Sequence, residues 1–349
     1  MTRKNVGFGM IGAGTIAHIH AKAIQAIPNA HLVGIYSAGR EKAEVFAREH
    51  HCTFFNTLED MLKAPGIDIV CICTPSGIHM EPALKCIEAG KHCLIEKPLE
   101  VTLERCDKMI EAAEKAGVQI GVVFPSRFYD ESIRIRKAID DNKFGKLAVG
   151  SAYVKWSRTE AYYQSAAWRG TWQYDGGGAL MNQGIHSVDL LQWYMGPVEA
   201  VQAFSANIRH QTIEVEDTIV ASLHFSNGAV GTLECTTAVY PGSLKRIEIM
   251  GTEGTAILEE SRIIKWQFSN EEDKVIANKT EEKPVQGGVS NPADISFTGH
   301  QRQIENFIIA ILEKKEPLID GKEGRKAVEI VMAIYESARK GYTVKLNVP

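Results

Sequence analysis

The chain has 349 residues, more than one ordinary core holds, so two domains are expected. Its 44% apolar and 23% charged residues are those of a folded globular protein, and a formal net charge of -4 excludes the basic footprint of a nucleic-acid binder. No apolar run approaches a membrane span, and Met1-Thr-Arg-Lys lacks the apolar core of a secretory signal, which predicts a cytoplasmic protein without a membrane partner.

Residues 1–124 alternate strand and helix. Val6–Ile11 reads as a buried strand that runs into Gly12-x-Gly14-x-x-Ala17 and then a helix. Gly12 permits the tight turn, Gly14 lets backbone approach a pyrophosphate, Ala17 keeps the helix close to the sheet, and the helix N-terminus offers free N–H groups. Gly12, Gly14, Thr15 and Ile16 are therefore expected to hold a dinucleotide. Further strands are predicted at His31–Tyr36, Ile67–Cys73, His92–Ile95 and Gln119–Val123, separated by helices over Glu41–Glu49, Met80–Ala89 and Leu103–Ala116. Apolar strands alternating with helices imply a doubly wound parallel sheet, an α/β Rossmann domain.

The strand His31–Tyr36 ends in Ser37, where an NAD site usually carries Asp or Glu for the ribose hydroxyls. Arg40 and Lys42 follow at the next helix start. A hydroxyl, basic side chains and a helix N-terminus suit a 2′-phosphate, so NAD(P) is expected with NADP favoured over NAD. The alternative is an ordinary surface Arg40 and a Ser37 that tolerates both. Seven cysteines show no paired C-x-x-C spacing, and Cys71 and Cys73 lie on one face of an apolar strand, so buried free thiols are expected rather than a disulfide or metal site.

Glu96-Lys97-Pro98 follows the strand His92–Ile95 at its carboxyl end, where ligands bind in open α/β sheets. A lysine there can hydrogen-bond a substrate hydroxyl and favour loss of its proton as a hydride leaves the same carbon; the alternative is a solvated lysine paired with Glu96. Helix Glu131–Asp140 then leads into a second domain, residues 125–349. From Lys146 the pattern becomes longer alternating strands: Asp217–Phe225, a Ser226-Asn227-Gly228 turn, Ala229–Val239, Arg246–Met250, Thr255–Leu258 and Ile263–Phe268. Helices are predicted at Gly178 to Tyr194, Thr298–Glu313 and Glu323–Arg339, and the polar Glu271–Asp294 as an exposed loop. This is an α+β domain with a large open, mostly antiparallel sheet and helices on one face.

Asp175-Gly-Gly-Gly opens the helix that carries Asn182 and His186, four apart and so on one face, with Asp189 three further on. His186 can exchange a proton near neutral pH and Asn182 can orient a hydroxyl or the imidazole. A lone helical histidine is more often structural, but glycines make a poor helix unless something approaches its backbone. No second ligand cluster supports zinc here, and His18 and His20 face different ways, so no metal is expected. Arg158, Tyr162 and Tyr163, in Lys155–Tyr163, suit carbohydrate faces and hydroxyls, and Arg127 in Phe124-Pro-Ser-Arg-Phe128 is placed to touch substrate; packing or a structural ion pair is the alternative for each.

The glycine motif, Cys73-Thr-Pro-Ser76 with His79, Glu96-Lys-Pro98 and Asn182-Gln-Gly-Ile-His186 together resemble the Gfo/Idh/MocA family over essentially the whole chain. The resemblance implies hydride transfer between a nicotinamide and a hydroxyl carbon of a sugar, sugar derivative or cyclitol, with Lys97 and His186 as the catalytic pair. It implies that Thr74, Pro75, His79, Glu96 and Lys97 line the nicotinamide half of the cofactor and that Trp168 and Arg169 reach it from the second domain. It also implies a homodimer or homotetramer. Many members carry Asp four residues before the histidine; Asn182 cannot accept a proton, which leaves it hydrogen bonding alone. The Asn-Gln-Gly-Ile-His variant is similar to that of UDP-N-acetylglucosaminuronate 3-dehydrogenases, which makes a nucleotide sugar the alternative substrate. A cofactor-binding regulator without catalysis is the alternative from another class, opposed by the presence of both Lys97 and His186.

Overall fold

The computed structural model describes residues 5–269 and 296–347; the expected loop Glu271–Asp294 lies outside them. The chain begins with β1 (Val6–Ile11), α1 (Thr15–Gln25), β2 (Ala30–Tyr36), α2 (Arg40–Glu49), β3 (Thr53–Phe54), α3 (Leu58–Lys63), β4 (Ile69–Ile72), α4 (Met80–Glu88), β5 (His92–Ile95), α5 (Leu103–Ala116) and β6 (Ile120–Val122). These strands form one parallel sheet in the order β3-β2-β1-β4-β5-β6. Every residue of β1 and β4 is buried, as required of strands covered by helices on both faces. Thr57 and Thr102 cap α3 and α5 by accepting from the backbone N–H of Asp60 and Arg105. The order reverses between β1 and β4, the switch point at which doubly wound sheets take ligands.

The next elements are α6 (Asp130–Asp140), β7 (Leu147–Lys155), α7 (Glu160–Gln164), a π-helical stretch Ala179–Gly184, α8 (Ile185–Met195), β8 (Val198–Ala206), β9 (Thr218–Phe225), β10 (Val230–Thr236), β11 (Arg246–Gly251), β12 (Gly254–Glu259) and β13 (Arg262–Phe268). The chain ends with α9 (Thr298–Glu313), α10 (Gly321–Lys340) and β14 (Val344–Lys345). An eight-stranded sheet runs β13-β12-β11-β7-β10-β9-β8-β14, antiparallel except for β7 beside β10. Along β9, Ile219, Ala221, Leu223 and Phe225 are buried and Val220, Ser222 and His224 are exposed, which is the period of a sheet with one covered face. The α/β architecture with its open second sheet is as the sequence implies. Among the strands unmarked in the sequence, β3 and β14 are each two residues long, and β8 has a register irregularity between Val198 and Ala200 that breaks its alternation.

The compact units depart from the expected division in one respect, the return of Ser296–Arg325 to the first. The first compact unit consists of the chain up to Pro125 together with Ser296–Arg325; the second consists of the chain from Ser126 together with the stretch that begins at Lys326. The reason is packing on the first sheet. Ile304, Phe307 and Ile308 of α9 are buried in the same cluster as Phe8, Met10, Leu94 and Val123. Gln303 clamps the end of β6, accepting from Phe124 N–H at 3.0 Å and donating to Val122 O at 2.6 Å.

Gln303→Leu keeps a comparable volume but leaves those two buried backbone groups unmet. It is expected to lower the unfolding free energy by about 1–3 kcal/mol. A urea titration following the first unit checks this, with an unchanged midpoint as the contrary result.

Candidate active site

In the first unit, Gly12 ends β1 with φ 97°, and its N–H donates to Tyr36 O at 2.9 Å. A Cβ there would lie 2.5 Å from Cys73 O, so only glycine fits between β1 and the end of β4. Gly14 is the N-cap of α1, contributes no side-chain cap, and has nothing within 4 Å of where a Cβ would stand. Thr15 and Ile16 form the first turn of α1. A close-packed turn, open space before it and uncapped helical N–H groups fit a pyrophosphate. At the end of β2, Ser37 Oγ accepts from Gly39 N–H at 3.4 Å, while Arg40 Nε donates to Glu44 Oε1 at 2.8 Å and its guanidinium lies over Phe54.

The loops after β4 and β5 are tied together by His79. Its ring is fully buried, with Nε2 3.0 Å from Thr74 O and Nδ1 3.0 Å from Pro98 O and 3.3 Å from Leu99 O. Both ring nitrogens face backbone carbonyls, so His79 shapes the loops that carry Thr74, Pro75 and Lys97 instead of presenting a nitrogen to a ligand. Glu96 is buried: Oε1 is 2.7 Å from His20 Nε2, and Oε2 accepts from Lys97 N–H at 3.2 Å. Lys97 itself is half-buried at the carboxyl end of the sheet, and its peptide bond to Pro98 is cis.

In the second unit, the helix that carries Asn182 and His186 is not α-helical throughout. Ala179–Gly184 is π-helical and α begins at Ile185, so the i, i+4 facing argument does not apply across that join. What survives is exposure. From Asp175 to Leu190, Asn182 and His186 alone are half-buried and every other residue is buried. The glycines permit this placement, because a side chain at Gly178 would collide with the Glu216 carbonyl. Asp189 lies three residues after His186 in α8. It takes Arg127 in a bidentate ion pair at 2.8 and 2.6 Å, with both side chains buried and the guanidinium over Trp193. Arg127, expected as a substrate contact, is thus committed to a structural pair.

Tyr163 is also turned inward, its hydroxyl 2.8 Å from Thr237 Oγ1. Its neighbour Tyr162 meets other partners: Arg169 donates to the Tyr162 hydroxyl at 2.7 Å and Gln183 donates to the same oxygen at 3.1 Å. The guanidinium carbons of Arg158 and Arg169 lie 5.2 and 4.4 Å from the Tyr162 ring centre, and Arg169 also stacks on Trp168. Asn182 donates its amide to Asp175 and accepts from Gln183 at 3.2 Å. Asp175 in turn accepts from Gly170 N–H at 2.9 Å.

Glu216 and Asp175 were passed over as site residues in the sequence. Asp175 had a signal, as the residue before three glycines; Glu216 had none, since its partners lie 36–38 residues before it and 119 after it. Glu216 accepts from Gly178 N–H and Leu180 N–H, each at 2.9 Å, and from the Tyr335 hydroxyl at 2.9 Å. Burial, the largest influence, pushes its carboxyl up to about 7, against the pull of these donors.

The close-packed turn after β1 and the open N-terminus of α1 fit a dinucleotide pyrophosphate, as an NAD-binding oxidoreductase requires. The profile of an oxidoreductase family with an NAD-binding Rossmann fold matches residues 6–124, and that of the GFO/IDH/MocA C-terminal domain matches residues 133–257. The chain belongs to the Gfo/Idh/MocA family. It is similar to the WlbA dehydrogenase from Bordetella pertussis, solved in complex with NADH and UDP-GlcNAcA: 34% identity, 100% of both chains covered, TM-score 0.88. It is also similar to D-glucoside 3-dehydrogenase of Escherichia coli, at 26% identity over 99% of each chain. Myo-inositol 2-dehydrogenase of Thermotoga maritima is 27% identical over 97% of this chain and 98% of its own.

Because the folded protein raises the Glu216 pKa from 4.5 to about 7, it retains a proton that the unfolded chain has already released. Its contribution to stability is fully present below 4.5 and declines as pH rises to 7. Removing that titration by Glu216→Gln is expected to flatten the fall by about 3 kcal/mol. Thermal melts of both proteins across this range test it, and parallel curves are the contrary result.

Proposed function

We propose that the protein is a 3-dehydrogenase of an anionic nucleotide-linked sugar of the UDP-N-acetylglucosaminuronate class. The observation that carries this is the convergence of Arg158 and Arg169 on Tyr162, whose hydroxyl is joined through Gln183 to the segment bearing Asn182 and His186. Two guanidinium groups on one ring repel each other. A carboxylate or diphosphate relieves that repulsion through charge-assisted hydrogen bonds, which a neutral cyclitol cannot do. The full-length likeness to a dehydrogenase that binds UDP-GlcNAcA supports the same reading.

The cofactor is proposed to be NAD, held at Gly12, Gly14, Thr15 and Ile16 and, on its nicotinamide side, by Thr74, Pro75 and Glu96. The sequence favoured NADP through Ser37 and Arg40. The ion pair of Arg40 with Glu44 instead supports NAD, because it sets a carboxylate beside the guanidinium that a 2′-phosphate would need. When bound, the nicotinamide supplies the hydride acceptor. Lys97 holds the reacting hydroxyl and stabilises the developing alkoxide; His186 takes up the hydroxyl proton; Asn182 orients the imidazole or the hydroxyl.

The test is formation of reduced nicotinamide with UDP-GlcNAcA, UDP-GlcNAc and myo-inositol, each with NAD and NADP. Turnover is expected with UDP-GlcNAcA and NAD. Lys97→Ala and His186→Ala are expected to lower kcat on the order of 100-fold or more with little change in cofactor Kd. Arg169→Ala is expected to raise the sugar KM by about 10- to 100-fold. Turnover of inositol without turnover of the UDP-uronate would overturn the assignment.

A homo-oligomer formed through the outer face of the second sheet is also proposed. Phe204 is 74% exposed beside its cross-strand partner Val220, with Val230 half exposed on the next strand. Such an apolar, self-complementary face suits a two-fold interface. Light scattering at micromolar concentration should give a dimer or tetramer mass, and Phe204→Asp should lower it. A monomer mass for the native protein is the contrary result.

A further inference from the structure

We propose that His20 is a positioning residue for Lys97, acting through the buried carboxylate of Glu96. The inference rests on the role given to Lys97 above. Three elements of the first unit meet at this carboxylate: α1 brings His20, the loop after β5 brings Glu96 and Lys97, and α9 brings His300. His20 Nε2 lies 2.7 Å from Glu96 Oε1, and Glu96 Oε2 accepts from the backbone N–H of Lys97 at 3.2 Å. The His300 ring stands edge-on to that of His20, with ring centres 5.3 Å apart.

The chemistry fixes which way the chain of hydrogen bonds runs. His20 is 1% exposed, and its Nδ1 has no hydrogen-bond partner. A proton on Nδ1 would be buried without an acceptor, so Nε2 carries it and donates to Glu96. Burial on its own would push the Glu96 carboxyl up; the His20 hydrogen bond, the largest influence against it, brings it below its ordinary value. His300, fully buried, is itself held down to about 4 and so is neutral near pH 7. The other groups interacting with Glu96 are the thiols of Cys71 in β4 and of Cys73 just beyond it, both pushed up by burial. Glu96 is therefore kept as an anion with the His20 side chain on one oxygen and the Lys97 backbone N–H on the other, and that anion anchors the backbone at the lysine. Helix α1, whose N-terminus faces the pyrophosphate site, thereby sets where the lysine stands.

The experiment compares His20→Asn with His20→Gln. The Gln amide reaches the position of Nε2 and can still donate to Glu96; the Asn amide stops at the position of Nδ1 and cannot. His20→Asn is expected to lower kcat on the order of 10- to 100-fold, with the cofactor Kd nearly unchanged. Its acid limb should move to higher pH by about one unit, because a Glu96 without its donor protonates sooner. His20→Gln should restore both the rate and the limb. Equal effects of the two variants, or an unmoved acid limb, would overturn the inference and leave His20 a packing residue. So would stoichiometric zinc in the purified protein, since the ligand atoms of His20, Glu96 and His300 lie within 4.8 Å of one another. Should His20→Asn not fold, Glu96→Gln carries the same comparison and is expected to abolish that acid limb. Lys97→Ala separates the two levels. If it retains near-native turnover, the catalytic reading fails; if it is inactive while His20→Asn keeps a native pH profile, only the positioning role fails.

Discussion

A carboxylate can be buried only where donors converge on it, and this constraint organises both functional stretches of the chain. In the first unit Glu96 accepts from the backbone of the residue proposed to act on substrate. In the second, Glu216 accepts from Gly178 and Leu180, at the start of the π-helical stretch that carries Asn182. Asp189 extends the pattern one turn beyond His186, with Arg127 in place of backbone donors. The side chains available to a ligand are thus half-buried residues on segments whose backbone is pinned from beneath. Pinning of this kind removes the reorganisation that a flexible loop would need as charge develops on a substrate.

The environment of each carboxylate differs more than its burial. Glu216 and Asp217 are neighbours on opposite faces of the chain, and burial pushes both upward. Asp217 accepts from three successive N–H groups, those of Ile208, Arg209 and His210, and from the Thr218 hydroxyl; its carboxyl ends below the ordinary value. Glu216 accepts from two N–H groups and a phenol and ends near 7. Asp217 therefore serves as a constant charge that closes the loop before β9, whereas Glu216 is a group whose ionisation opposes folding.

The local elements were legible because each has a local cause. β1, β4 and β5 are continuous apolar runs, α5 has a threonine cap, and β9 and β10 alternate about an Asn-Gly turn. The return of α9 to the first sheet was illegible, since nothing within Thr298–Glu313 says which apolar surface its Phe307 enters. The site was legible where a residue type and its place on an element coincide, as at Lys97 after β5. It was undivided where two similar side chains stand side by side: Tyr163 and Tyr162 are adjacent, and only the fold decides that the first bonds Thr237 and the second meets Arg169. Arg127 has the same lesson, because its partner Asp189 is 62 residues away.

The departure at position 182 can be weighed on the same terms. An aspartate there would offer a second titratable group four residues before the histidine. Asn182 offers none, yet its amide donates to Asp175, so a negative charge is kept against this segment but displaced from the helix to the residue before the three glycines. An amide between a carboxylate and its surroundings transmits orientation and polarisation, and it cannot carry a proton. The Asn182–Asp175 pair therefore pins the segment that leads into His186, while the proton that His186 takes up in the proposed reaction must leave by a route that does not pass through residue 182. The arrangement separates two jobs that one aspartate would perform together: holding the reacting group in place, and moving its proton.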